Sequence, residues 1–193
     1  MLVPHNRKLY AIDPKSWEHP ADKAALAALR AVPGLDDIIK FIFGATSERA
    51  IRLVHIASAA RVTGTQYPRL NTMIERIIDV FDWPYRPDVF VAQSPFFNAG
   101  VYGVEHPFIV LNSSIAQRLD DRELECVLAH EMGHVMSGHA VYKTLLWMLL
   151  NVSARLVPGA ALAIMPVVAA LREWDRKSEL TADRAGLLAA QTE

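Results

Sequence analysis

Cysteine is almost missing from this chain: Cys126 is the one thiol among 193 residues. An internal disulfide framework is therefore excluded, and any metal ion has to be held mainly by histidine and carboxylate. A lone free thiol fits a reducing compartment, so a cytoplasmic location is expected. Charge of one sign is also missing. The formal net charge is -1 with acidic and basic residues interspersed, and the lack of a basic stripe to neutralise phosphates argues against nucleic acid as a partner. The opening residues, MLVPHNRKLYAIDPKSWEHP, lack the unbroken apolar core and small-residue cleavage site of an export signal. Long apolar runs are missing too. Leu156 to Leu171 carries no charge, but it makes only about 24 Å of helix against a hydrocarbon core of roughly 30 Å. Pro158 and Pro166 interrupt it, which argues against a simple membrane span.

What is present is an apolar excess, 52% of residues, and a change of pattern near the middle. The first 85 residues read as packing helices punctuated by proline and glycine: Ala21 to Val32, Leu35 to Phe43, and Ser47 to Val62 with Ala50, Leu53, Val54 and Ala57 on one face. A fourth follows Pro68, with Leu70, Met73, Ile74, Ile77, Ile78 and Phe81 at helical spacing before Trp83-Pro84. From Pro87 the runs are short and β-like: Val89 to Val91, Asn98 to Val104 and Phe108 to Leu111. Asn112-Ser113-Ser114 is positioned to cap a short helix, and Asp120 with Glu123 reads as a capping box for the next. An apolar connection, Leu145 to Leu171, then leads to a charged amphipathic helix from Arg172 to Ala190.

The helix predicted after Asp120 carries His130-Glu131-Met132-Gly133-His134, an HExxH motif. Residues four apart lie roughly 40° apart around a helix, so both imidazoles point the same way and can grip one ion, with Glu131 beside it. Zinc takes neutral nitrogen ligands and an open position for water, and a neighbouring carboxylate can act as general base on that water. Two histidines leave a third protein ligand to be found. The chain has Ser137 and Ala140 where a metzincin requires Gly and His, so that class is excluded. His139 sits roughly 140° from His134 on a continued helix, which makes it a polar or supporting residue, with substrate contact as the other expectation. The later carboxylates are Glu173, Asp175, Glu179, Asp183 and Glu193. Glu179 and Asp183 stand i, i+4 on one helix face, one as ligand and one holding a ligand histidine, and this pairing favours Glu179. Cys126 shares the face of His130 four residues on; core packing is its expected role.

HEMGHVMSGH followed by Glu179-Leu180-Thr181-Ala182-Asp183-Arg184 resembles the HtpX and CAAX prenyl protease group of gluzincin zinc endopeptidases. Asn98-Ala99-Gly100 and Phe108 to Asn112 are similar to the strand segment that precedes the active-site helix there. The resemblance covers roughly residues 88 to 190 and implies one Zn2+ on His130, His134 and Glu179, Glu131 as base, and Asp183 in support. It further implies that Asn98, Ala99 and Gly100 border the cleft and pair with an extended substrate. The membrane spans that precede the motif in HtpX-like members have no counterpart in these residues.

The expectation is therefore an α+β fold: a mainly helical, zincin-like domain with a small sheet, an HExxH helix and a later glutamate helix. One domain spans 1–193, with a helical N-terminal part at 1–85 and a catalytic core at 86–193. Its reaction would be peptide hydrolysis on a peptide or protein substrate. Peripheral membrane contact is expected alongside, through a helical hairpin in the apolar connection flanked by Lys143, Trp147 and Arg155. The rival readings are a non-catalytic zinc-stabilised scaffold and a membrane-associated interaction module; an intact Glu131 speaks against the scaffold, which needs no base.

Overall fold

The computed structural model describes residues 7–45, 48–153 and 160–191. Expectations that fall on Ser47, Arg155, Leu156, Pro158 and Glu193 lie outside the described residues. The fold is α+β, 63% helical with one four-stranded sheet.

Helix α1 (Pro20–Arg30) starts at a proline, where a missing N–H costs nothing, and His19 Nδ1 accepts from the Ala21 N–H. Helix α2 (Leu35–Ala45) runs through Gly44 instead of stopping before it. Helix α3 (Glu48–Ile56) is shorter than the expected Ser47 to Val62, because Ala59–Arg61 forms strand β1. Pairing with a neighbouring strand satisfies this backbone, which outweighs local helix propensity. The expected inward face of α3 is also corrected. Leu53 and Val54 are exposed, and the inward row is Ile51, in the core, with His55 stacked 3.8 Å from the Tyr102 ring. Helix α4 (Pro68–Val80) buries Leu70, Met73, Ile74 and Ile77 as its periodicity predicts and Val80 besides, while Ile78 is only partly buried.

Strands β2 (Asp88–Ala92), β3 (Ala99–Tyr102) and β4 (Phe108–Asn112) complete the sheet, in the order β1-β2-β4-β3. The central pair β2 and β4 is parallel, with Val89 opposite Ile109, and both outer pairs are antiparallel. This order leaves β3 as an edge strand. Its far end is pinned twice. Gly103 exchanges hydrogen bonds with the buried Thr144 hydroxyl, and the Glu48 carboxylate accepts from the backbone N–H groups of Val104, Glu105 and His106.

Helix α5 (Ser113–Arg118) has Asn112 as its cap residue, but no side chain caps it. Asn112 and Ser114 instead bond the Phe96 carbonyl, and Ser113 bonds Ser94, tying down the loop before β3. Helix α6 (Asp121–Met136) opens with the predicted Asp120–Glu123 capping box. Helix α7 (Ala140–Met148) passes into a π-helical turn, Leu149–Ser153. The last helix, α8 (Ala160–Ala190), is longer than expected and continues through Pro166. An interior proline costs about 3 kcal/mol; the buried row Val167, Val168, Leu171 and Trp174 offsets it by packing.

Three buried clusters hold these elements, the smallest being Phe90, Phe108 and Val110 on the sheet. One face of the sheet, α4 and α6 form the first; α1, α2, α3, α7 and the front of α8 form the second. Helix α8 also contributes Ala185 and Ala189 to the first cluster, so it spans these two. The residues expected to flank a membrane are corrected accordingly. Trp147 stacks on His55 at 4.3 Å, and Lys143 is paired with the Asp175 and Glu179 carboxylates at the cleft.

Candidate metal centre and cleft

Helices α6 and α8 lie unusually close because Gly133 has no side chain. A Cβ there would stand 2.6 Å from that of Ala185 and 3.3 Å from the Ala182 backbone. The close approach sets His130 and His134 on α6 against Glu179 and Asp183 on α8. His130 Nε2 is 3.1 Å from Glu179 Oε2, and His134 Nε2 is 3.3 Å from Glu179 Oε1. One ligand atom from each of the three lies within 4.8 Å of the others, a group able to hold a metal ion. Donors bonded to zinc at 2.0–2.1 Å in a tetrahedron stand roughly 3.3–3.4 Å apart, so the donor set fits that ion.

The other ring nitrogens are held from behind. His130 Nδ1 lies 3.0 Å from Asp183 Oδ1, and His134 Nδ1 lies 2.9 Å from His139 Nδ1. The placement of His139 corrects both the expected helical phase and its expected substrate contact. Helix α6 stops at Met136; Gly138 takes a left-handed backbone at φ 72°, and the Gly138 and His139 N–H groups bond back to the Val135 and His134 carbonyls. This is a Schellman turn. It folds His139 underneath His134, 3% exposed and off the cleft wall.

Electrostatics follow from burial and from paired charges. Burial pushes the Glu131 carboxyl up to about 7, against the pull of His130 and Lys143. Burial pushes His134 down to about 3, keeping the ring neutral. For Glu179, burial would raise the pKa, but hydrogen bonds from His130 and His134 and the Lys143 charge hold it well below the usual carboxylate range. For His130 the balance reverses: burial lowers it, yet Glu179, Glu131 and Asp183 leave it raised. A proton and a metal ion compete for the same nitrogen.

Sequence reasoning missed Lys143. Its Nζ lies 2.7 Å from Glu179 Oε1 and 2.8 Å from Asp175 Oδ1, and burial, which lowers its pKa, is outweighed by these two carboxylates. The remaining carboxylates separate cleanly: Asp175 is spent on Lys143, and Glu173 pairs with Arg176 on an exposed face. The Tyr142 hydroxyl accepts from Arg30.

These groups open into a cleft of about 720 Å³. Asn98, Ala99, Gly100 and Tyr102 of the β3 edge form one wall, and His130, Glu131, His134 and Glu179 form the floor. Leu146, Trp147 and Leu150 give it an apolar side. Cys126 also lines the cleft, half-buried, so it packs the wall as well as the interior; burial and the nearby Asp183 raise its pKa.

An HExxH helix faced by a glutamate helix, beside an edge strand, defines a metallopeptidase of the gluzincin type. The chain belongs to peptidase family M48, whose model matches residues 65–193. It is 34% identical over 183 residues to the plastoglobule-localized metallopeptidase 48, chloroplastic, of Arabidopsis thaliana, covering 93% of this chain and 53% of that protein. It is 30% identical over 115 residues to Protease HtpX homolog 1 of Streptomyces coelicolor, covering 58% and 38%, and 37% identical over 87 residues to the Protease HtpX homolog of Tropheryma whipplei, covering 44% and 30%. The chain thus spans about half the length of the first relative and less of the others. No solved structure matches it significantly.

Proposed function

We propose that this protein is a zinc-dependent endopeptidase, with one Zn2+ held by His130, His134 and Glu179. Three protein donors, against the four of a closed structural site, leave a position for water. A bound zinc would supply the Lewis acid that polarises the scissile carbonyl and makes bound water acidic near neutral pH. The chain's own residues do the rest. Glu131 takes a proton from the attacking water and passes it to the leaving amine, and its burial, which raises the carboxyl pKa, favours accepting that proton. The free edge of β3, with Asn98, Ala99 and Gly100, offers backbone hydrogen bonds to an extended peptide. Asp183 holds the His130 ring by its Nδ1, so that Nε2 faces Glu179 and would be free to ligate the ion.

The observation that carries this reading is a buried carboxylate, Glu131, on the floor of an open cleft beside a metal-holding group. A non-catalytic scaffold has no use for it, because burying an ionisable group without need is costly. We read residues 1–193 as one domain, with 86–193 as catalytic core. The plastoglobule location named for one relative, and the exposed apolar residues at the cleft mouth, support a chain that works at a membrane or lipid surface. The test is Glu131→Gln. It keeps about one zinc per chain and lowers peptide cleavage by 10²-fold or more. Cleavage unchanged in that variant would remove Glu131 from the reaction.

A further inference from the structure

Behind His134 lies a chain of buried polar groups that the reaction does not use. His134 Nδ1 stands 2.9 Å from His139 Nδ1, His139 Nε2 stands 3.1 Å from Asp22 Oδ2, and Thr181 Oγ1 donates to the same Oδ2 at 2.5 Å. His134, His139, Asp22 and Thr181 are all buried, none more than 3% exposed. Two facing ring nitrogens need one proton between them. A carboxylate only accepts, so the His139 proton belongs on Nε2, facing Asp22. Neutral His139 then has a bare Nδ1, which accepts from the Nδ1–H of His134. That leaves the Nε2 lone pair of His134 as the one aimed at Glu179 and the cleft.

We propose that Asp22, acting through His139, is a positioning residue that fixes the tautomer and ring orientation of His134 and so sets how tightly the site holds its metal. The proposal rests on the zinc reading above. Asp22 belongs to α1, outside residues 65–193 matched by the family model, so the N-terminal helix is built into the metal site. The two ligand histidines are supported differently. Asp183, behind His130, has a side chain 64% exposed, and water can take its place. Asp22 is 1% exposed, so bulk solvent does not reach its place as it reaches that of Asp183. Burial would neutralise Asp22, but the bonds from His139 and Thr181 hold its pKa below the usual range, and Trp174 adds to this. An anionic acceptor at the end of the chain makes His134 a better electron donor.

Zinc competition against a chromophoric chelator tests this, starting from metal-free full-length protein and read beside thermal unfolding and ¹⁵N NMR of the histidine rings. Asp22→Ala loses zinc affinity by about 10 to 100-fold. Thr181→Val disturbs the same α1–α8 junction but spares the His139–Asp22 bond, and leaves zinc affinity little changed. Asp22→Asn weakens binding in the same direction: its carbonyl is a poorer acceptor than a carboxylate, and its amide, if turned over, forces the His139 proton onto Nδ1. In wild type, NMR places the His139 proton on Nε2. Should Asp22→Ala not fold, the Asn variant and the wild-type tautomer carry the test. Unchanged affinity in Asp22→Ala, an equal loss in Thr181→Val, or a wild-type His139 protonated on Nδ1 would each overturn the proposal. A wild type that binds no zinc would sink the zinc reading instead, and the His139 tautomer of the metal-free protein still decides the role of Asp22.

Discussion

Glu179 is gripped at both carboxylate oxygens, Oε2 by His130 and Oε1 by His134 and Lys143. No other carboxylate among the described residues meets both histidines of the motif. Replacing it removes a donor outright, whereas replacing Asp183 removes only the group behind His130. Zinc retention under mild chelation therefore falls furthest in Glu179→Ala, by about 10 to 100-fold in Asp183→Ala, and stays near wild type in Glu173→Ala. Equal zinc content in all three variants would place the third ligand elsewhere. The residues that make this comparison possible were legible in the sequence because their relation is local: i, i+4 spacing on a helix fixes a shared face whatever the rest of the fold does. Lys143 and Asp22 were not, because each meets its partner across a tertiary contact that no spacing encodes. His139 was misplaced for a subtler reason. Gly138 was in plain view as a helix-ending residue, and continuing the helix past it turned the ring away from His134 instead of beneath it.

Helices α6 and α8 define the site by how closely they approach, and Gly133 is the residue that permits it. Gly133→Ala gains up to about 1 kcal/mol in helix propensity and costs about 1–3 kcal/mol in overpacking against Ala185. The net expectation is a loss of about 1 kcal/mol in denaturant unfolding, with weaker zinc binding because the histidines move from Glu179. A variant as stable and as zinc-avid as wild type would show that α8 yields freely. The sheet depends on a different tie, the Glu48 carboxylate under the turn after β3. Burial alone would raise the Glu48 pKa, but three backbone N–H groups and His106 hold it below its usual 4.5. A lowered pKa gives stability that is full above 4.5 and is lost as the pH falls through the folded value. Glu48→Gln should therefore unfold more readily than wild type at pH 7, with the difference closing as the pH drops below 4.5. A difference that is constant with pH would mean the charge of Glu48 is immaterial. Strand β1 was hidden from sequence reasoning because a three-residue strand acquires its identity only from pairing with β2.

For the molecule as a whole, the question is where its apolar excess goes. Most of it fills the three buried clusters, and no described helix is long and apolar enough to cross a membrane. Val167 of α8 lies in the second cluster and Ile164 packs against it, so changing them to serine would test folding rather than membrane binding. The apolar surface lies instead beside the cleft: Phe96 is 76% exposed, Phe97 55% and Leu150 43%, and the last two line the cleft itself. Burying such a side chain fully contributes about 1.5–3 kcal/mol, so three partly exposed ones give weak, reversible attachment, not anchoring. Liposome flotation should accordingly recover a minor, salt-insensitive fraction of wild type, and Phe97→Ser combined with Leu150→Ser should abolish it while thermal stability is kept. Cleavage of a short soluble peptide separates the two uses of this rim. If the double variant still floats like wild type but cleaves poorly, the rim serves the substrate, and membrane contact at this face is wrong.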